Sequence, residues 1–480
     1  MPANKPETHI FSNGLRLVYE SHPSKIKQTH IRAFCHVGSI YEPDNIRGAS
    51  HFIEHMCFKG SRAFPSWSAV NEPFSQSGAI LNATTTKQYT FFSVDCLDSD
   101  VNPFLKILGD MMLQSKFDRK EYQLELNVVR EEMKMRKPDS FIETLAFSGS
   151  MYANWVDHDS YHTIGSLPYD DVINYYHQYY VPQNIVLSIV SSISFDTIKR
   201  YIQSTPFTQT PKLKITPILN HNTGTLYQNC ESNYMLQMTN GDTARIEIGV
   251  RVCGQTNYSD YFALNVLRNI VSGSMSSRLF VELREKRGLT YRSGSYINLY
   301  ETAGVFVLYA ISDVSRLIKS GHKYDVTRHK RTQTAKYINR DGKRRKTSRR
   351  HPSKPGVIPI MFSILDDLIQ NGVKNKELRR AKQSIKDTLK MESIAGGDKS
   401  EYNGLRVMLH NEMEIMPNEE IYDKCYKRIT KTDINAVIQK YFASRNYYFS
   451  AIGGDLPKPH EISKFLKSSL MYEVKGSMTY

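Results

Sequence analysis

Within residues 48–60, GASHFIEHMCFKG, His51, Glu54 and His55 form an H-x-x-E-H pattern. On a helix advancing about 100° per residue, His51 and His55 stand one turn and roughly 40° apart, with Glu54 about 60° to the other side of His51. Two imidazoles so placed can bind one zinc ion at roughly 2.0–2.1 Å each. A carboxylate beside them can take the proton of a water that the metal activates. The plainer alternative is two helix-face histidines making ordinary hydrogen bonds. Cys57 is turned about 120° from His51 and is a poor ligand.

A third ligand is expected in Asp118–Lys137. With Glu125 at the origin of a helical wheel, Leu124, Val128, Val129 and Met135 span roughly −100° to +40°, and Glu132 falls near −20°, inside that apolar arc. Carboxylates in an apolar stripe are costly unless compensated. A cation is the simplest compensation, so Glu132 is the expected third ligand. Glu131 lies at the edge and can reach water. For Glu125 and for Glu132 alike, a buried pair with Lys or Arg is the alternative. Asp157–His162, DHDSYH, also carries histidines beside aspartates, but it sits among turn formers and reads as a polar loop.

Other elements must hold these groups. Ala49, Phe52, Ile53 and Met56 lie opposite the histidines and can enter a core, and Gly60 is a plausible helix stop. Phe11–His22, with its Asn-Gly turn, reads as an opening strand and Thr29–Gly38 as its partner. Ser66–Gly78 is a polar helix, Ile80–Leu97 two strands turning near Lys87, and Ser99–Gln114 a helix. Phe141–Tyr152 and Asp170–Tyr180 read as helices, Asn184–Ser191 as a buried strand and Phe195–Gln203 as a further helix. Thr205–Gly224, with Pro206, Pro211 and Pro217, reads as a linker. The order then repeats: strand Ala244–Arg251, helix Tyr258–Ile270, strands Gly294–Asn298 and Gly304–Ile311, helices through Lys440, and strand Tyr447–Ile452. An internal duplication with one active copy is the economical account. It divides the chain into a metal-binding domain (1–204), a linker (205–225) and a second, inactive domain (226–480).

The chain has 480 residues, 40% of them hydrophobic, enough for more than one core. No apolar run approaches the roughly 18 residues of a membrane span. The N-terminus shows no signal or transit pattern, and the six cysteines are scattered, so a reducing compartment, cytoplasmic by default, is expected. A net charge of +15 invites a nucleic-acid reading. Yet Arg316–Lys354 holds 15 Lys and Arg against Asp325 and Asp341, leaving 48 basic and 46 acidic residues elsewhere. The basicity belongs to one insertion, 316–354, either a disordered, solvated loop or a polyanion-binding segment.

These motifs resemble the inverted zinc peptidases of the pitrilysin family, and most of all its short branch with the mitochondrial processing peptidase β subunit. HFIEHMCFKG is similar to the family's metal helix, and VVREEM to the segment carrying its third ligand. The resemblance implies one Zn2+ per chain on His51, His55 and Glu132, with Glu54 as general base and Glu125 as a further glutamate near the metal. It implies that Asn82 and Ala83, in ILNATTT, hold substrate backbone, and that Arg284 and Tyr291, in LREKRGLTY, contact substrate or the developing oxyanion. Without it, Arg284 would read as a solvated helix charge. The implied fold is α+β, two homologous α/β-sandwich domains facing each other as a clamshell. The implied activity is hydrolysis of unfolded or short polypeptides, by a homodimer or by a heterodimer with a similar chain. A mitochondrial location rests on the resemblance alone. A non-hydrolytic scaffold, as in some relatives, is the alternative.

Overall fold

The computed structural model describes residues 5–22, 27–135, 140–147, 163–213, 234–255, 257–320, 354–392, 396–410, 415–454, 456, 460 and 476–479. Short alternating and apolar runs form two mixed six-stranded sheets. The first contains β1 (Glu7–Ile10), β2 (Arg16–Ser21), β3 (Gln28–Cys35), β4 (Ile80–Thr85), β5 (Thr90–Leu97) and β6 (Ile185–Ser191), ordered β1-β2-β6-β3-β5-β4. In the second half β7 (Tyr234–Met238), β8 (Thr243–Cys253), β9 (Arg292–Leu299) and β10 (Ala303–Asp313) precede a small pair, β11 (Lys319–Ser320) and β12 (Lys354–Pro355). With β13 (Tyr447–Gly453) and β14 (Gly476–Thr479), the second sheet is ordered β14-β7-β13-β8-β10-β9. From β2 and β7 inward the two orders coincide. The β2–β6 and β7–β13 pairs are both parallel, and the β6–β3 and β13–β8 pairs both antiparallel. The repeat expected from the order of elements is thus a repeat of topology.

The opening segment differs from expectation. Phe11–His22 contributes the turn and second arm of a hairpin, β1–β2, around Asn13 and Gly14. Thr29–Gly38 does not pair with it, because β6 lies between them. Every residue of β6 is buried, and a strand apolar on both faces is most stable at the centre of a sheet covered on both sides.

Helices α1 (Ala49–Cys57), α2 (Trp67–Ser77), α3 (Val101–Leu113), α4 (Arg119–Met135), α5 (Ile142–Phe147), α6 (Tyr169–Tyr179) and α7 (Phe195–Gln203) belong to the first half. The second half has α8 (Tyr258–Ser272), α9 (Val357–Asn371), α10 (Asn375–Glu392), α11 (Gly396–His410) and α12 (Lys431–Phe442). One face of the first sheet meets α1, α3 and α6 through Ile31, Phe92, Phe52, Leu108 and Tyr176. Its other face is covered by the second half: Val18, Phe34 and Val186 pack on Val407 and Met408 of α11. Reciprocally, Ile142, Leu145 and Phe147 of α5 pack on Val305, Val307 and Tyr448 of the second sheet. Glycines permit both approaches: a Cβ on Gly404 would stand 2.2 Å from Phe34, and one on Gly249 2.3 Å from Ile142. At roughly 1.5–3 kcal/mol per fully buried large apolar side chain, this exchange of helices fastens the halves together.

Two expected loops are partly built into the fold. At the start of the linker, Phe207 is fully buried, and Asn13 Nδ2 donates to Phe207 O at 2.8 Å and Thr210 O at 2.9 Å. Residues 214–233 lie outside the described residues. Of the basic insertion, Leu317 is buried, Arg316 donates to Gly288 O at 2.7 Å, and β11 pairs with β12. Residues 321–353 lie outside, as do Asp157–His162, Cys230 and the C-terminal part of the expected helix Phe141–Tyr152. The five described cysteines form no disulfide with one another. Among the described residues no helix is long and apolar enough to cross a membrane.

Candidate metal centre

Helix α1 starts where only glycine fits: Gly48 has φ +94°, and a Cβ there would stand 2.7 Å from Ile164. Ala49, Phe52, Ile53, Met56 and Cys57 are fully buried, which turns His51 and His55 toward the opposite side. Helix α4 packs on α1, with the Phe52 and Tyr122 rings edge to face at 4.6 Å. The apolar arc expected around Glu132 is not the buried one. Leu124, Val128 and Met135 are 61%, 51% and 77% exposed. The buried side is rotated: it runs from Glu125 through Val129 and Tyr122 to Leu126, about 0° to +100° on the same wheel. Tyr122 and Leu126 bring more area to the core than Leu124 and Val128 can, and the helix rolls accordingly. Glu125 therefore sits deep inside, and Glu132 sits at the rim.

His51, His55 and Glu132 nevertheless converge, and they form a three-residue cluster able to hold a metal ion. His51 Nε2 lies 3.2 Å from His55 Nε2. Glu132 Oε2 lies 3.8 Å from His51 Nε2 and 3.5 Å from His55 Nε2. Tetrahedral zinc with bonds of roughly 2.0–2.1 Å needs ligand atoms about 3.3–3.4 Å apart. The donor set fits such an ion in kind and spacing. Side-chain exposures of 17%, 22% and 33% leave the cluster open to solvent.

Behind the cluster, Glu125 is almost fully buried. Its Oε1 lies 2.8 Å from His55 Nδ1 and its Oε2 2.5 Å from Lys59 Nζ. Burial would raise the Glu125 carboxyl, but the His55 and Lys59 donors outweigh it and hold it below its ordinary value. Burial would lower the His55 imidazole, but the Glu125 hydrogen bond and the charges of Glu54, Glu125 and Glu132 leave it raised. The buried Glu125 thus has both partners weighed from sequence, the candidate metal site through His55 and a cation in Lys59. Sequence reasoning does not single out Lys59, four residues after His55, as that cation. Its spacing was the available signal.

Glu54 is buried, and its Oε2 accepts from Thr85 Oγ1 at 2.6 Å. Thr85 was also missed. It ends β4, the edge strand that carries Asn82 and Ala83 and passes beside α1. Asn82 is exposed, and its Oδ1 accepts from Ala83 N at 2.9 Å. Arg284 and Tyr291 are held within the second half. Arg284 lies over the Phe280 ring, and Tyr291, 64% exposed, donates to Asp313 at 3.1 Å.

Residues 16–151 match the family described as Insulinase (Peptidase family M16), and residues 166–325 match the Peptidase M16 inactive domain. The chain belongs to peptidase family M16. An uncharacterised zinc protease of Bacillus subtilis, YmxG, is 28% identical over 416 residues, covering 85% of this M16 chain and 90% of its own length. An uncharacterised zinc protease of Streptomyces coelicolor is 28% identical over 310 residues, 62% of this chain and 65% of that one. Among solved structures, a protease from Helicobacter pylori superposes with a TM-score of 0.75 at 17% identity, over 94% of this chain and all of that one. The periplasmic protease PqqL from Escherichia coli superposes with a TM-score of 0.72 at 15% identity, over all of this chain and 52% of that one. The two-domain α+β fold is therefore that of M16 peptidases, and the zinc-protease names stand with the His51, His55 and Glu132 cluster.

Proposed function

We propose that this chain is a zinc-dependent endopeptidase acting on unfolded or short polypeptides. The observation that carries the reading is the convergence of two imidazole nitrogens and a carboxylate oxygen at 3.2–3.8 Å, with Glu54 on the same helix. Zinc held there supplies a Lewis acid that polarises a peptide carbonyl and acidifies water. Glu54 takes a proton from the attacking water and returns it to the leaving amine. Glu125 fixes the ring of His55 through Nδ1, and Thr85 fixes the carboxylate of Glu54. An extended peptide adds to β4, the edge strand of the first sheet among the described residues, its main chain meeting Asn82 and Ala83, which accounts for tolerance of many side chains.

Arg284 and Tyr291 are assigned to the substrate or the developing oxyanion. Their anchoring in the second half suits a homodimer, or a heterodimer with a similar chain, in which one copy's second half serves the other's metal centre. This chain matches the Helicobacter pylori protease over its whole length and PqqL over 52% of its own, so the same two-domain unit occurs alone and within a longer chain. The basic insertion is assigned to polyanion binding. A non-hydrolytic scaffold is disfavoured because the inactive-domain match begins at residue 166, beyond α1 and α4. Glu54→Gln should hold about one zinc per chain yet cleave a quenched peptide roughly 10²–10⁴-fold more slowly. Unchanged turnover in that variant would overturn the assignment.

A further inference from the structure

The metal helix lacks a cap of its own. Helix α1 has nine residues, and its first candidate ligand, His51, is the third of them. A helix start leaves its first backbone N–H groups without partners inside the helix, and Ser, Thr, Asp or Asn just before it ordinarily supplies an acceptor. Here Gly48 is obligatory, as its positive φ and the proximity of Ile164 show, and it offers no side chain. The acceptor comes from six residues upstream. Glu42 is 7% exposed, and its Oε2 accepts from Gly48 N and its Oε1 from Ser50 N, each at 2.7 Å. Ser50 is itself fully buried, with Oγ 3.1 Å from Tyr175 OH, which donates to Gly38 O at 3.3 Å. Both carboxylate oxygens are thus used on the turn from which His51 projects, and that turn is tied in turn to α6 and to the end of β3's loop.

We propose that Glu42 is a positioning residue for metal binding: by clamping the N–H groups of Gly48 and Ser50 it fixes the direction of His51 toward His55 and Glu132. The proposal rests on reading those three residues as the metal site. Without the clamp the first turn is free to fray, and His51 loses its place while His55, one turn further in, keeps its own. Partners one step removed from a metal ligand commonly change affinity by 10–100-fold. Glu42 acts on the backbone beside a ligand, so the lower end, about tenfold, is expected.

The test is zinc affinity of the full chain, measured by chelator competition together with the melting temperature of the metal-free protein. Glu42→Gln turns one acceptor into a donor facing a backbone N–H. Glu42→Asp keeps the carboxyl group and loses reach. Glu20→Gln is the comparator: Glu20 is also a buried carboxylate, held by Lys399 and by Asn403 at 2.9 Å, on the opposite face of the first sheet. The expected result is a zinc Kd raised about tenfold in Glu42→Gln, less in Glu42→Asp, and unchanged within about twofold in Glu20→Gln at a similar loss of melting temperature. Should Glu42→Gln not fold, Glu42→Asp is read on the same scale. Glu42 variants that bind zinc like the wild type, or a Glu20→Gln variant that weakens zinc as much, would overturn the proposal. A wild-type chain that binds no zinc would instead remove the metal-site reading beneath it.

Discussion

Replacing Glu125 with Gln should separate its two jobs. The wild-type carboxylate is nearly inaccessible and receives two charged contacts, His55 Nδ1 at 2.8 Å and Lys59 Nζ at 2.5 Å. Glutamine keeps the shape and one carbonyl oxygen, so His55 can retain a neutral acceptor while Lys59 faces an amide group. A hydrogen bond to a charged partner contributes about 1.5–3 kcal/mol. Because the Lys59 side chain is 24% exposed and can turn to water, the metal-free protein should lose only about 1.5–2 kcal/mol, the low end of that range. Zinc affinity should suffer separately, because a neutral acceptor makes His55 a weaker donor. The expected loss is 10–100-fold in Kd, or roughly 1.4–2.7 kcal/mol. Glu125→Ala would leave the half-buried Lys59 and His55 without their acceptor, and should cost about 3 kcal/mol of stability, the low end for breaking a buried pair because Lys59 can turn to water. Urea unfolding of the metal-free chain gives the first quantity, and chelator competition gives the second. If Glu125→Gln loses stability but binds zinc as tightly as the wild type, Glu125 is a core ion-pair residue and its link to the metal site is wrong.

Burial would raise the Asp95 carboxyl, but His30 Nδ1 at 2.7 Å and Arg32 at 2.8 Å hold it at about 2. A carboxyl lowered on folding stabilises above its ordinary range, and that contribution is lost as pH falls from about 4 toward 2. Asp95→Asn should therefore be about 2 kcal/mol less stable than the wild type at pH 7, with the gap closing near pH 2; a pH-independent gap in urea unfolding would contradict this. Removing residues 321–353 should leave peptide cleavage intact, because β11 and β12 already bring the flanking ends together. It should also abolish salt-dependent binding to a polyanion such as heparin, and binding that persists after the deletion would place the polyanion surface elsewhere.

The chemistry of the centre was legible because it is local. His51, Glu54 and His55 are ordered by helical spacing alone, and the burial of Phe52, Ile53 and Met56 follows from the same wheel. Glu132 joins the cluster for a reason that the wheel only partly holds. Its segment is helical, but Leu124, Val128 and Met135 beside it face outward, because a wheel shows a stripe and not which stripe a neighbouring helix will cover. The strands flanking α1 were legible from alternation, and the repeat from the order of elements. The sequence by itself therefore determined the candidate ligand types, the helix that carries two of them and the twofold plan.

Tertiary structure decided everything that depends on two segments meeting. It set β6 between β2 and β3, exchanged α5 and α11 between the halves, and brought Thr85 to Glu54 and Lys59 to Glu125. Periodicity along a chain specifies which side of an element is apolar. It holds no information about which distant surface has the matching shape, and only packing settles that.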